Sequence, residues 1–197
     1  MTLSWQPSLL ADEPPEFDAD LVGIERRDLG SGAWCDTLAG WVRGGDALFA
    51  ALVEAAPWDA HERPMYDRMV VEPRLTTRAW GDAPPPVPAM AEALSRHYAC
   101  DLTTVSANLY RDGRDSVAWH GDRVGRQRSQ TVVAIVSLGA PRRFLLRPKG
   151  GGSSLRLTPA SGDLLVLGGT CQRTWEHSVP KCATAGPRIS VMFREAY

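Results

Sequence analysis

Alternating hydrophobic and polar positions mark the second half of the chain as a series of short strands. In the segment 188–194, Ile189, Val191 and Phe193 occupy every second position, so they would share one face of a strand. The same period predicts further strands at 104–110, 131–138, 143–147, 154–157, 163–167 and 173–177. Short strands separated by glycine-containing turns are typical of a β-sandwich or barrel.

The first half of the chain has the spacing of helices instead. Asp46 can cap a helix over 46–55, and a second helix is predicted over 90–98, after a proline-rich break. A strand is predicted within 63–74, and the N-terminal segment is expected to be an irregular arm with one short strand near 21–24. We therefore predict an α+β domain whose helical part comes first and packs against the outer face of the strands.

Length and composition fit one globular domain over residues 1–197, with 44% hydrophobic and 23% charged residues. The longest apolar runs, such as 132–136 and 164–167, are far too short to cross a bilayer, and no basic stretch followed by an apolar one opens the chain. We therefore expect a cytoplasmic monomer with no membrane partner. The four cysteines are widely separated, which argues against a zinc knuckle or redox motif and favours reduced thiols.

Charge is distributed unevenly although the formal net charge is only −1. The segment 111–156 carries ten basic residues against three acidic ones, and the rest of the chain is acidic. Arginine suits phosphate, so a polyanion partner is one interpretation, and a solvated face of strands is the other.

His120 and Asp122 are the first residues that indicate chemistry. On an extended backbone, residues two apart point to the same side, so the pair could bind one metal ion. A third ligand must come from elsewhere, and among the remaining histidines only His177 lies in a segment with a strand pattern. Two histidines and one carboxylate form the facial triad of non-haem Fe(II) oxygenases. The alternative is a pair of surface polar residues beside a turn.

The polar face of the last strand adds a possible cosubstrate site. Arg188 and Arg194 would lie on one face, and a guanidinium can bind the distal carboxylate of a dicarboxylic 2-oxo acid in a bidentate manner. Asn108 and Tyr110 share a face of another strand and offer an amide and a phenol as further partners. Two solvent-facing arginines are the alternative interpretation.

Several motifs follow one another between residues 108 and 194. In chain order they are Asn108-x-Tyr110, Asp112-Gly113, His120-x-Asp122, the segment 136–142, the segment 175–180 and the closing segment from Pro187-Arg188 to Arg194. Together they resemble the AlkB family of Fe(II)- and 2-oxoglutarate-dependent dioxygenases, especially the branch like the human DNA-repair homologues. The resemblance covers nearly half of the chain.

The resemblance implies a double-stranded β-helix, or jelly roll, with a catalytic core in 103–197. It assigns the N-terminal arm, the helices and a nucleotide-recognition segment to 1–102. His120, Asp122 and His177 match the Fe(II) ligands of the family.

The cosubstrate residues also follow from the resemblance. Arg188 matches the arginine that pairs with the distal carboxylate of 2-oxoglutarate, and Asn108 and Tyr110 match its other polar contacts. Arg194 matches the second arginine, near the proximal carboxylate at the catalytic centre. The family usually has Asn where this chain has Ser190, which removes one hydrogen bond and leaves the arginine clamp intact.

The implied activity is oxidative dealkylation of N-alkylated nucleic acid bases, most directly in DNA repair, with alkylated DNA or RNA as partner. One alternative is the same oxygenase chemistry on RNA, a protein side chain or a small molecule. A second alternative is a noncatalytic nucleic-acid-binding module, which would need neither the metal ligands nor the arginine clamp.

Substrate contacts are expected from residues that precede the strands. Tyr66 and Trp80 could stack on a flipped base, and Arg74 resembles an arginine near the substrate. Core packing is the alternative for the two aromatic residues, a surface role is the alternative for Arg74, and Trp119 is expected in the core. Basic residues that could track phosphates are Arg123, Arg126, Arg128, Arg142, Arg143, Arg147 and Lys149.

Two departures from the family pattern concern recognition of the base. Many members carry an acidic residue two positions after the metal-binding aspartate, where this chain has Val124. The segment after Gly81-Asp82 runs straight into prolines, so we expect the usual base-flipping hairpin to be missing.

Overall fold

The computed structural model describes residues 3, 13–65, 68–122 and 128–196. In chain order the elements are β1 (Glu16–Phe17), β2 (Glu25–Gly30), β3 (Ala33–Leu38), β4 (Val42–Arg43), α1 (Gly45–Ala55), β5 (Glu62–Met65), β6 (Arg68–Val71), β7 (Leu75–Thr77), α2 (Val87–Tyr98), β8 (Thr104–Tyr110), β9 (Val117–His120), β10 (Val133–Gly139), β11 (Phe144–Pro148), β12 (Leu155–Leu157), β13 (Leu164–Gly169), α3 (Cys171–Thr174), β14 (Trp175–Val179) and β15 (Arg188–Arg194).

Two antiparallel sheets form the body of the protein. The larger sheet has the strand order β2-β3-β13-β10-β15-β8-β7, and the smaller one has the order β12-β11-β14-β9. Neighbours that are distant in the chain, such as β3 with β13, β8 with β15 and β9 with β14, are typical of a jelly roll rather than a meander. Two short pairs, β1 with β4 and β5 with β6, complete the strand pairing of the described ranges.

The pleat of β15 divides its side chains between the hydrophobic core under the helices and the space between the two sheets, which contains a second hydrophobic cluster. Ile189, Val191 and Phe193 belong to the cluster that also includes Leu48 of α1 and Leu94 of α2, so this face of the large sheet is covered by the two helices. The alternate residues of β15 face the smaller sheet. The predicted alternation along 188–194 therefore corresponds to the helix-covered and the inner face.

The helices begin where local backbone geometry permits, not where the sequence pattern placed them. Gly44 is the N-cap of α1 with φ 62°, and a Cβ there would lie 2.5 Å from the carbonyl oxygens of Glu13 and Pro14. The predicted cap, Asp46, lies instead in the first turn, where a carboxylate favours the helix dipole. α2 begins at Val87, three residues before the predicted start.

The N-terminal half contains more strand than the sequence predicted. The expected strand at 21–24 is wrong, since these residues form turns and β2 begins at Glu25. The single strand predicted within 63–74 is a hairpin of β5 and β6 followed by β7, and the strand predicted at 173–177 is divided between α3 and β14. β2 was missed because nearly all of its residues are exposed, so it has no apolar alternation.

Cys35, Cys100, Cys171 and Cys182 are all free. Within the described ranges, no helix is long and apolar enough to cross a membrane.

Candidate metal and 2-oxoglutarate site

The three predicted metal ligands come together at the edge of the smaller sheet. His120 ends β9 and is paired directly with His177 of β14, and the centroids of the two rings are 4.3 Å apart. The Oδ1 of Asp122 lies 3.7 Å from the Nε2 of His120 and 3.9 Å from the Nε2 of His177. One potential ligand atom from each residue lies within 4.8 Å of the others, so a single cation can bind all three.

Local contacts orient these ligands. The Nδ1 of His120 lies 2.8 Å from the carbonyl oxygen of Ala118, which leaves Nε2 directed at the site. Phe144 stacks on His177 with ring centroids 5.2 Å apart and an interplanar angle of 14°. Gly121 allows the segment around Gln172 to approach closely, because a Cβ at residue 121 would lie 2.8 Å from the carbonyl oxygen of Gln172.

Protonation of the site fits metal binding. Burial lowers the pKa of His177 to about 4, so its imidazole is neutral at neutral pH, the form that binds a metal. Burial raises the pKa of Asp122, but the guanidinium of Arg194 and the two neighbouring imidazoles more than offset this effect, and the pKa lies below its ordinary value. The donor set of two imidazoles and one carboxylate therefore fits Fe(II).

Arg194 lies against the metal-binding carboxylate. Its Nε and Nη2 are each 3.0 Å from the Oδ2 of Asp122, and its Nη1 donates to the Oγ of Ser106 at 2.7 Å. Asp122 thus presents Oδ1 to the histidines and Oδ2 to Arg194. Arg194 therefore lies beside the candidate metal site and holds the carboxylate, whereas its predicted place near the proximal carboxylate of 2-oxoglutarate stays a prediction.

Arg188 is a buried cation with unused hydrogen-bond donors. The residue is 1% exposed, and its Nη2 donates to the Oγ of Ser137 at 2.8 Å. Its Nε and Nη1 have no hydrogen-bond partner in the described part of the chain. Burial lowers the pKa of Arg188, an effect that an anion beside it would oppose. These unused N–H donors and the buried positive charge suit an anion such as the distal carboxylate of 2-oxoglutarate.

Asn108 and Tyr110 share the inner face of β8 as predicted. Tyr110 is opposite Arg188 in the strand pairing, and the Arg188 Cζ is 5.4 Å from the centre of its ring. The Oδ1 of Asn108 accepts hydrogen bonds from Arg74 at 3.3 Å and from Thr76 at 2.9 Å. Tyr110 therefore lies beside Arg188, whereas Asn108 contacts Arg74 just before β7 and Thr76 on β7.

The candidate substrate residues fall in three different places. Arg74 is only 15% exposed and forms an ion pair with Glu72 at 2.9 Å in addition to its bond to Asn108, so it lies beside the cosubstrate residues. Trp80 is 5% exposed and packs in the core cluster under the helices, so it has a core-packing role. Tyr66 and Val124 lie outside the described residues.

Trp119, Arg142 and Arg147 make contacts that the sequence did not predict. Trp119 is half-buried outside the core clusters, with the Arg147 Cζ 3.9 Å above its ring. Arg142 is buried and donates to the carbonyl oxygens of Asp112, Asp115 and Pro180, so the prediction that it tracks phosphates is wrong. Its contacts connect two loops instead.

Sequence reasoning missed four side chains that support the site. Their contacts with the predicted residues are all long-range, and no local motif marks them. They are Ser106, Ser137, Phe144 and Gln172.

The family of the chain follows from comparison with known proteins. The family model of the 2OG-Fe(II) oxygenase superfamily matches residues 43–194, a range that contains the triad and both arginines. The chain therefore belongs to the 2OG-Fe(II) oxygenase superfamily, and within it to the AlkB family, as its similarity to alkB homologues indicates. This membership confirms the resemblance and implies Fe(II) and 2-oxoglutarate as the cofactor and cosubstrate.

Two curated relatives illustrate the similarity. The alpha-ketoglutarate-dependent dioxygenase alkB homolog 3 of Bos taurus is 28% identical over 178 residues, which cover 77% of this chain and 62% of that protein. The DNA oxidative demethylase ALKBH2 of Arabidopsis thaliana is 33% identical over 149 residues, which cover 61% of this chain and 46% of that protein. The chain thus spans about three fifths of the length of the alkB homolog 3 relatives.

Solved structures show the fold. OsALKBH1 superposes with a TM-score of 0.63 at 14% identity, over 87% of this chain and 100% of that one. A Pseudomonas putida prolyl-4-hydroxylase superposes with a TM-score of 0.52 at 16% identity, over 83% and 93% of the two chains. The predicted jelly roll is confirmed.

Proposed function

We propose that this protein is an Fe(II)- and 2-oxoglutarate-dependent dioxygenase that removes N-alkyl groups from nucleic acid bases, and that it acts in the repair of alkylated DNA. One observation carries the proposal: the His120, Asp122 and His177 cluster shares the inner face of the jelly roll with the buried, partly unpaired guanidinium of Arg188. The names of the curated relatives support the choice of nucleic acid bases as substrate.

The proposed reaction consumes one molecule each of dioxygen and 2-oxoglutarate. One oxygen atom enters succinate as 2-oxoglutarate loses carbon dioxide, and the other converts the N-alkyl carbon to a hydroxyalkyl group. The C–N bond then breaks, the hydroxyl proton is lost, the ring nitrogen keeps the electron pair, and an aldehyde is released. Bound Fe(II) would supply the activation of dioxygen.

The residues of this chain bind and orient the reactants. Arg188 would bind the distal carboxylate of 2-oxoglutarate, with Ser137 fixing the rotation of its guanidinium through the 2.8 Å hydrogen bond. Arg194 holds Asp122 so that one carboxylate oxygen remains directed at the histidines. Phe144 packs on His177 and reduces access of water to that ligand.

Other substrates and one other class of function compete with this proposal. The same oxygenase chemistry could act on RNA, a protein side chain or a small molecule, and a noncatalytic nucleic-acid-binding module is the alternative outside enzymes. A binding module gains nothing from a buried arginine with two unused donors, because such a group is costly without an anion. The monomeric state and the cytoplasmic location stay predictions.

The test is production of succinate and formaldehyde from 2-oxoglutarate and methylated oligonucleotides, with Fe(II) and oxygen supplied. We expect turnover that depends on the methylated DNA, is abolished in His120→Ala and Asp122→Ala, and is unchanged in His97→Ala, which removes an exposed histidine remote in sequence from the triad. Turnover that is independent of any nucleic acid would favour a small-molecule or protein substrate. Binding of DNA without turnover would favour the noncatalytic module.

A further inference from the structure

Gln172 connects the two chain segments that carry the metal ligands. It lies on α3, directly before the strand that contains His177, and it is 3% exposed. Its Oε1 accepts a hydrogen bond from the backbone N–H of Asp122 at 2.8 Å. The same residue therefore touches the Asp122 segment through its side chain and is continuous with the His177 segment through its backbone.

The backbone carbonyl of Gln172 makes two further contacts with the same region. Lys149 donates to it from Nζ at 3.1 Å. Gly121 packs so closely against it that a Cβ would approach to 2.8 Å. Gly121, directly before the Asp122 N–H, is thus closely fitted to this helical turn, and Lys149 binds the same carbonyl oxygen.

The β-ladder does not hold Asp122. β9 ends at His120, so Asp122, which carries the metal-binding carboxylate, lies two residues beyond the end of the strand. The hydrogen bond from its N–H to Gln172 takes the place of a strand partner. Rotation of this short loop would move Oδ1 away from the two imidazoles that it faces at 3.7 and 3.9 Å.

Stability alone does not account for an amide at this position. The Nε2 of Gln172 is buried and has no hydrogen-bond partner among the described residues. A buried unsatisfied donor costs about 1–3 kcal/mol, whereas a leucine or methionine would fill a similar volume without that cost. The hydrogen bond to Asp122 is the contact that an apolar residue could not make.

We propose that Gln172 is a positioning residue, which fixes the His120-Gly121-Asp122 segment so that the carboxylate completes the metal site. The inference rests on the proposed function only in requiring that the triad binds a divalent metal. Outer partners of metal ligands typically contribute about 10–100-fold to metal affinity. Since Gln172 acts through the backbone of the ligand, we expect an effect near the lower end of that range.

The experiment measures Co(II) affinity of the full-length protein by visible absorption, without oxygen or substrate. Gln172→Leu removes the acceptor, and we expect it to weaken Co(II) binding about tenfold. Gln172→Glu keeps an acceptor oxygen at the same place and should recover most of the affinity. Thr174→Val is the matched control, because it removes a hydrogen bond within the same helical turn, to the Thr170 carbonyl at 3.1 Å, without touching Asp122.

Thermal unfolding of each metal-free variant separates positioning from folding. A purely structural role would lower the melting temperature of Gln172→Leu and leave the affinity of the folded protein unchanged, which would overturn the proposal. Equal weakening by Thr174→Val would also overturn it. If Gln172→Leu did not fold, Gln172→Met would replace it in the same comparison. Absence of Co(II) binding in the unmodified protein would overturn the proposed function as well, whereas normal binding in every variant would overturn only the role of Gln172.

Discussion

Arg188 donates a hydrogen bond from its Nη2 to the Oγ of Ser137 at 2.8 Å, and its Nε and Nη1 are left without partners in the described structure. A buried cation with unused donors destabilises the ligand-free fold, and a carboxylate would relieve that cost. Arg188→Met should therefore leave the ligand-free protein as stable as before or more stable, and should abolish stabilisation by 2-oxoglutarate. In the unmodified protein, 2-oxoglutarate at 100 times its Kd should raise the free energy of unfolding by about 2.7 kcal/mol. Denaturant unfolding with Mn(II) in place of iron measures this increase.

Arg188→Lys serves as the control for charge alone. It keeps a cation but loses the planar fork, so we expect weak stabilisation by 2-oxoglutarate and a raised KM for it. An unchanged KM for 2-oxoglutarate in both variants would remove Arg188 from the cosubstrate site.

Arg194 should affect the metal more than the cosubstrate. Its Nε and Nη2 hold the Oδ2 of Asp122 at 3.0 Å, so Arg194→Met leaves a metal ligand free to rotate. We expect Fe(II) affinity to fall about 10–100-fold, measured by anaerobic titration. Ser106→Ala removes the bond to Nη1 and retains Arg194 and Asp122, so its effect should be smaller. Equal Fe(II) affinity in the unmodified and Arg194→Met proteins would contradict this role.

The parts of the fold that were predictable from sequence are those where one face of an element is buried. The strands at 104–110 and 188–194 were predicted with the observed bounds, because the alternate residues of each are buried on opposite faces of the large sheet. β2 is polar and exposed, and its pairing with β3 depends on contacts that no local pattern contains. The start of α1 depends on the left-handed backbone of Gly44. A side chain at that position would clash with the carbonyl oxygen of Glu13, a contact that no local pattern in the sequence shows.

The candidate site was predictable where a strand brings its ligands into register. His120 and His177 are directly paired across β9 and β14, and sequence reasoning identified both. Gln172 and Ser137 were missed because the side chain of each makes one hydrogen bond to a site residue about fifty positions away, which leaves no periodic signal. Arg142 was misjudged since charge alone cannot distinguish a phosphate-binding arginine from one that holds three carbonyl oxygens.

Arg147 joins two residues that directly precede the metal-binding histidines. Its guanidinium is stacked 3.9 Å above Trp119 and is paired with the Oε1 of Glu176 at 2.6 Å. Because the side chains of Arg147 and Glu176 are 29% and 19% exposed, solvent screens the pair. A double-mutant cycle with Arg147→Met and Glu176→Gln should give a coupling free energy of about 0.5–1 kcal/mol in urea unfolding. Zero coupling would show that the pair contributes nothing to stability. Arg143→Met is the control, because Arg143 is an exposed arginine four residues before Arg147, and its loss should change the free energy of unfolding little.

Asp36 is a buried carboxylate on the helix-covered face of the large sheet, and Tyr98 of α2 donates a hydrogen bond to its Oδ2 at 2.9 Å. Arg26 binds both carboxylate oxygens at 2.7 Å. Tyr98→Phe retains the ring that stacks on Trp34 and removes only the hydroxyl, so we expect a loss of about 1.5–3 kcal/mol in the free energy of unfolding, as for a hydrogen bond to a charged group. Activity per folded molecule should not change, because the triad lies on the inner side of the fold.

Arg26→Met tests the second partner of Asp36 in the same assay. A Tyr98→Phe protein of unchanged stability, or one that is stable but has lost turnover, would show that this cluster does not serve as a structural connection between α2 and the sheet.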